Sequence, residues 1–278
     1  MNPEGVGPRL GVGMNAVLAP LAARYAHWLS LPSESTVDVS TEEPDQVRAM
    51  PIILHIDKAD PPSRTALLEA AAAAAIAVCL DERAEPEGPW HEDLMAWTGG
   101  RIRKVSRRAR TAHWAAAQEF PGRTIEVDGA QARALVPGLV TETPKEISRL
   151  QISGSDLPIE PADPPPPGRP VLWLNPDVPM TAGKAAAQVG HATMLLAALL
   201  SGSGRDDRIA EWAATDFRCA VRTADQDNWQ KLCPGDDPAA TWREHGVIAV
   251  RDAGFTEVAP GTITVLAQWG SARPSHQR

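Results

Sequence analysis

Lys184, Gln188 and His191 interrupt "PMTAGKAAAQVGHATMLLAALL" (179–200), a segment otherwise dominated by alanine and leucine. Offsets of four and seven residues, at about 100° per residue, place the three within about 60° of one another on one helix face. Lys184 follows Gly183 in the first turn, where unpaired backbone N–H groups and the helix dipole favour an anion. An ammonium there adds a point charge for a phosphate or a developing oxyanion. The plain alternatives are a solvated lysine and a hydrogen-bonded structural histidine.

A second polar cluster lies in "RDAGFTEVAPGTITVLA" (251–267). Asp252 follows the apolar run "VIAV", which places it at the carboxyl end of a strand beside a glycine-containing loop, where functional groups gather in α/β sheets. It could equally cap the turn at Ala253–Gly254. Thr256 brings a hydroxyl to the same loop, either for a substrate group or for loop backbone, and Thr264 falls within the next strand.

The elements that must hold these residues read, from Arg169 onward, as strand, alanine-rich helix, Trp-bearing helix, strand, short helix, strand, loop and strand. Such alternation predicts a layered α/β domain with a mixed sheet. The Pro-rich stretch "SGSDLPIEPADPPPPGRP" (153–170) separates this half from an earlier one. The earlier half carries the same signals. "MPIILHID" (50–57) matches "RPVLWLNPD" (169–177); Trp97 and Trp114 are spaced as Trp212 and Trp229 are; and the same frame pairs Arg103 with Arg218 and Arg107 with Arg222. "IEVDGAQARALVPG" (125–138) also lies without gaps on "IAVRDAGFTEVAPG" (248–261). A tandem duplication accounts for the shared order. The expected architecture is α/β with two tandem compact domains, each a four-stranded mixed sheet flanked by helices. Its parts are an N-terminal extension (1–49), a first domain (50–153), a linker (154–168), a second domain (169–270) and a tail (271–278).

Two segments of the second half, "MTAGKAAAQVGHA" (180–192) and "RDAGFTEVAPGTIT" (251–264), resemble the signature segments of the type 2 peptidyl-tRNA hydrolases. In the first, Met180, Gly183, Lys184, Ala186, Ala187, Gln188, His191 and Ala192 fill the pattern; in the second, Arg251, Asp252, Ala253, Gly254, Thr256, Pro260, Gly261, Thr262 and Thr264 do. The resemblance covers residues 169–270. It implies hydrolysis of the ester joining a peptide to the terminal ribose of tRNA, with peptidyl-tRNA as substrate and no cofactor. It also implies catalytic roles for Lys184, His191, Asp252 and Thr256, and substrate contacts from Gly183, Gln188, Arg251, Gly254 and Thr264. Ester hydrolysis needs an oriented water, a base for its proton and donors facing the oxyanion. Which of His191 and Asp252 is the base stays open. So do two other readings: an RNA-end binding module without turnover, and hydrolysis of a related aminoacyl ester.

The bulk numbers agree with a globular protein. The chain has 278 residues, 43% hydrophobic and 22% charged, with a net charge of −8 that argues against a broad nucleic-acid surface. Three cysteines without paired spacing support neither a disulfide framework nor a zinc site, and no metal-ligand spacing is present. No signal peptide is read at the N-terminus, and the run "ALLEAAAAAAIAVCL" is too short for a bilayer, so a soluble cytoplasmic protein without membrane partners is expected. The insertion "CPGDDPAATWREHG" (233–246) is expected to bring Asp236, Asp237 and Glu244 near the strand leading to Asp252.

In the first half the counterparts of the site are lost. Lys184 corresponds to Ala66 or Thr65, His191 to Ala73 or Ala72, Asp252 to Gly129 and Thr256 to Arg133. That half is expected to be catalytically silent. Its expected role is either to pack on the active half as an intramolecular pseudo-dimer, with further homodimerisation left open, or to hold tRNA through "GGRIRKVSRRAR" (99–110). Solvated strand side chains are the plain alternative for those arginines. No function is assigned to residues 1–49.

Overall fold

A computed structural model describes residues 14–154, 156–235 and 237–269. The expectations for residues 1–13, Ser155, Asp236, Gly270 and the tail 271–278 lie outside the described residues.

The first half begins with helix α1 (Met14–Ser30) and strand β1 (Arg48–His55), followed by α2 (Arg64–Cys79), α3 (His91–Gly99), β2 (Arg103–Ala109) and α4 (Thr111–Ala117). A hairpin of β3 (Gly122–Val127) and β4 (Ala130–Leu135), the two-residue β5 (Gly138–Leu139) and α5 (Lys145–Ser148) complete it. The second half runs β6 (Pro170–Leu174), α6 (Ala182–Gly202), α7 (Asp206–Ala213), β7 (Ala220–Thr223) and α8 (Gln226–Leu232). Helix α9 (Pro238–His245) and the strands β8 (Val247–Arg251) and β9 (Ile263–Trp269) follow.

The first sheet has the order β2-β1-β4-β3 and the second β7-β6-β9-β8. In each, the first pair is parallel and the other two are antiparallel. The first sheet is five-stranded rather than four-stranded, because β5 adds to β1 opposite Arg48 and Ala49. The α/β class with mixed sheets holds for both halves.

Register locates equivalent positions. Ile53 lies between Arg107 on β2 and Arg133 on β4, as Trp173 lies between Arg222 on β7 and Leu266 on β9. Arg133 therefore stands where Leu266 does, and by the same register Ile125 stands where Val250 does, so the gapless match of 125–138 with 248–261 fails in both strands. The reason is local. Asp128 and Gly129, both at positive φ (47° and 81°), close β3 onto β4 in two residues, the Asp-Gly turn that suits a hairpin. The corresponding strands β8 and β9 are joined by residues 252–262. Thr256 has no counterpart in the first half. Arg133 is a buried side chain that donates to Thr124 Oγ1 (2.8 Å) and the Phe120 carbonyl (2.5 Å).

The halves share their main hydrophobic core, since β1, α2, β6 and α6 contribute to a single buried cluster. Each also closes a smaller one of its own, around Ile53 and Leu135 in the first half and Trp229 and Leu266 in the second. Helix α6 covers β8 and β9 and also reaches β2 of the other sheet, while α2 covers β3 and β4 and reaches β7. Alanines 70–75 make this contact close, and the Thr193 hydroxyl donates to the Ala72 carbonyl across it (2.9 Å). Helix α6 is long and apolar enough to cross a membrane by length and composition, but it is enclosed by protein on most of its surface. Truncating a fully buried leucine here, such as Leu67 or Leu196, costs about 2–5 kcal/mol.

Candidate active site

Helix α6 begins at Thr181, whose hydroxyl accepts from the Lys184 backbone N–H at 3.2 Å. That cap fixes where the polar face starts. In α2 the same cap is Ser63, accepting from Ala66 N, so Ala66, Ala70 and Ala73 stand at the Lys184, Gln188 and His191 positions.

Lys184 Nζ lies 2.6 Å from Asp252 Oδ2, with both side chains largely buried, and donates to Thr256 Oγ1 at 3.2 Å. Gln188 Nε2 donates to the same Asp252 oxygen at 2.8 Å. The Thr264 hydroxyl donates to Gln188 Oε1 at 2.6 Å, which orients the amide with its NH2 toward the carboxylate. The Gly254 N–H donates to Asp252 Oδ1 at 2.7 Å. Three groups thus converge on one carboxylate from a helix and a loop that are about 70 residues apart in sequence. A buried ion pair of this kind is costly to break on one side, about 3–5 kcal/mol, because a lone charge is left behind.

The loop 252–262 depends on glycine. Gly254 sits at φ 85°, and a Cβ there would fall 2.6 Å from Pro260 Cα. Backbone bonds from Asp252 N to Thr262 O (2.8 Å) and from Gly261 N to Asp252 O (2.9 Å) close its base.

Arg251, expected to contact substrate, is engaged with the end of α1 and the segment that follows it. Its guanidinium donates to the carbonyls of Trp28 (3.2 Å), Leu29 (3.2 Å) and Leu31 and to Ser33 Oγ (3.2 Å), and Trp28 Nε1 returns a bond to the Arg251 carbonyl (3.1 Å). Thr36 Oγ1 reaches the Ala253 carbonyl at 3.3 Å. Residues 28–36, to which no function was assigned, therefore hold the base of the loop. Gly183 is buried in the first turn of α6.

His191 stands one turn beyond the network and meets a residue of the other half: Lys104 Nζ on β2, 3.1 Å from its Nδ1. Burial, then the charges of Lys104 and Lys184, hold the imidazole well below the ordinary histidine range. Burial also lowers the Lys104 amine to about 7. Lys104 packs over the Trp97 ring at 4.9 Å.

Several further residues of the site were missed by sequence reasoning. Glu257 accepts from the Thr181 hydroxyl (2.9 Å). Arg64 on α2 is buried and donates to the Met180 carbonyl (2.9 Å), adding positive charge at the entry to α6. Arg101 and Arg103 lie within 5.7 and 5.2 Å of the exposed Phe255 ring. Thr181 had a readable signal, a hydroxyl residue three positions before Lys184, and Glu257 lies in the 252–262 loop itself; the arginines come from distant segments. A cleft of about 500 Å³ lies beside the cap of α6, lined by Thr181 and Glu257 on one side and Arg107, Leu150, Ile152 and Asp156 on the other.

The basic stretch 99–110 is mostly engaged within the chain. Arg101 and Arg103 pair with Glu42, Arg107 donates to the Ser148 and Leu150 carbonyls, and Arg108 to Gly154 O and Gln151. The acidic insertion packs, through α9, on β8, the strand that leads to Asp252. Asp237 caps the N-terminus of α9, and Glu244 lies in its last turn, just before β8, whose five residues separate it from Asp252 by roughly 16 Å.

A mixed α/β sheet with a buried lysine–carboxylate pair at a strand's carboxyl end defines the class of site. Residues 169–270 match the family Peptidyl-tRNA hydrolase PTH2, so the second half is a PTH2 domain; the first sheet is not assigned to that family. No curated protein matches the chain.

Proposed function

We propose that this chain hydrolyses the ester between a peptide, or an N-blocked amino acid, and the 3′-terminal ribose of tRNA. The observation that carries the reading is the Lys184–Asp252–Gln188–Thr264 network inside the matched domain. A water oxygen attacks the ester carbonyl carbon and gives its proton to a base of the site. The carbonyl oxygen becomes the oxyanion, for which the Lys184 ammonium and the Thr256 hydroxyl are the available donors. Collapse breaks the bond to the ribose oxygen, which takes a proton and leaves as the tRNA hydroxyl. Thr264 and Gln188 act behind Asp252 by holding its orientation.

We read the first half as a degenerate, silent copy that serves as a built-in partner. Its matching strand order, its alanines at the three helix positions and its two-residue turn in place of the 252–262 loop support this. The domain limits 50–153 and 169–270 belong to the same proposal, as does a cytoplasmic setting. The arginines of 99–110 fit structural roles better than a tRNA grip.

Release of peptide from N-acetyl-aminoacyl-tRNA by the full chain, beside Lys184→Ala and Asp252→Asn, tests the reading. Turnover lost in folded variants supports it. A wild type that binds the tRNA and releases nothing overturns it in favour of RNA-end binding alone.

A further inference from the structure

Among the charged groups that the hydrolytic network does not use, Lys104 is the one that meets His191. It belongs to the half without a catalytic set, yet its side chain crosses to α6. The crossing is built by small residues. Gly190 has no side chain, and a Cβ there would lie 3.1 Å from Ala75 Cβ and 3.2 Å from Lys104 Cδ and Cε. The Trp97 ring covers the amine, and Trp97 is itself fixed by a bond from Nε1 to the Arg103 carbonyl (3.1 Å). Nζ ends 3.1 Å from His191 Nδ1.

We propose that Lys104 is a positioning residue for His191, confining the imidazole to the neutral form with its proton on Nε2. An ammonium has three donors and no acceptor, so when Lys104 is charged Nδ1 must accept and the ring proton must sit on the other nitrogen. The titratable groups facing this amine are His191, Cys79 on α2 and, through His191, Lys184. None is an anion at neutral pH, because burial holds the Cys79 thiol up at about 12. Nothing there favours an imidazolium.

The consequence for catalysis rests on the hydrolase reading. A histidine fixed with Nε2–H is a hydrogen-bond donor to a substrate oxygen and not an acceptor for the water proton. That proton then goes to Asp252.

The test uses the ¹⁵N-labelled full chain at about pH 6, where an ordinary histidine is largely protonated. The His191 ring signals are identified by their loss in His191→Gln. A neutral ring protonated on Nε2 in the wild type is expected. In Lys104→Met the two tautomers mix and the ring titrates at higher pH, whereas Lys104→Arg keeps the wild-type pattern. An imidazolium or an Nδ1–H ring in the wild type overturns the assignment without needing any variant to fold. In the N-acetyl-aminoacyl-tRNA assay, Lys104→Met lowers kcat about tenfold with KM little changed, and Lys104→Arg restores it. A shifted tautomer with unchanged kcat overturns the catalytic consequence. A locked tautomer in a chain that releases no peptide overturns the hydrolase reading and leaves the Lys104 assignment standing.

Discussion

Trp97 and Trp212 make the same hydrogen bond in the two halves: each indole donates to the carbonyl six residues later, Arg103 at 3.1 Å and Arg218 at 2.9 Å. Both rings are almost wholly buried. Each bond ties a short helix to the segment entering the edge strand of its sheet, β2 or β7, and those strands are the ones that the opposite half's long helix reaches. The two halves are thus docked by equivalent parts.

This docking makes residues 169–270 insufficient alone. Without the first half, α6 exposes the face that packs on α2, around Gly190 and Thr193. Expression of 169–270 is expected to give an aggregated or molten product, with strong dye binding and poorly dispersed amide signals. A well-dispersed spectrum from the isolated segment would contradict the shared core.

Gly190→Ala tests the closeness of the helix contact. The added methyl meets Ala75 and Lys104 at 3.1–3.2 Å, so one of them must give way. A loss of about 1–3 kcal/mol in urea denaturation is expected. An unchanged midpoint would mean that the helices are further apart than described.

Thr264→Val keeps the shape and removes the donor that orients Gln188. The buried amide then loses a partner, at a cost of about 1–3 kcal/mol. The proposed turnover should fall through kcat while tRNA binding is kept, as measured by single-turnover kinetics against a binding titration.

Gly254→Ala separates loop from scaffold. An alanine at φ 85° against Pro260 is strained by about 1–3 kcal/mol, and relief requires the loop to move off Asp252. The expected result is a large loss of peptide release with a thermal midpoint only slightly lowered. Retained activity would separate the loop conformation from the chemistry.

Lys104→Met carries a pH signature. The folded amine titrates at about 7 against an ordinary 10.5, lowered by burial. Below about pH 7 both states hold the proton and the burial penalty is complete; between about 7 and 10.5 the unfolded chain holds more protons, so wild-type stability rises with pH. Methionine has no such dependence. Between pH 7 and 10 the wild type should gain on the variant by on the order of 2 kcal/mol. Parallel denaturation curves at the two pH values would refute it.

The polar face of α6 and the Asp252 loop were legible in the sequence because both are local patterns, a helical period and a strand end beside glycine. The Ser63 and Thr181 caps follow the same logic. Lys104 was not legible, since nothing in a basic strand tells which arginine or lysine turns inward toward a glycine 86 positions away. The partners of Arg251 were not legible for a related reason: a motif position gives a residue's place but not the direction of a long side chain. The error over Arg133 came from sliding two strands past each other without gaps, when the Asp-Gly turn shortens one hairpin.

Because Lys104 and His191 belong to one chain, their meeting does not depend on protein concentration. A contact between separate subunits weakens on dilution, whereas this one is held at a fixed effective concentration by the covalent link. Whatever Lys104 does for His191 is available to a single molecule, at the lowest copy number a cell can hold.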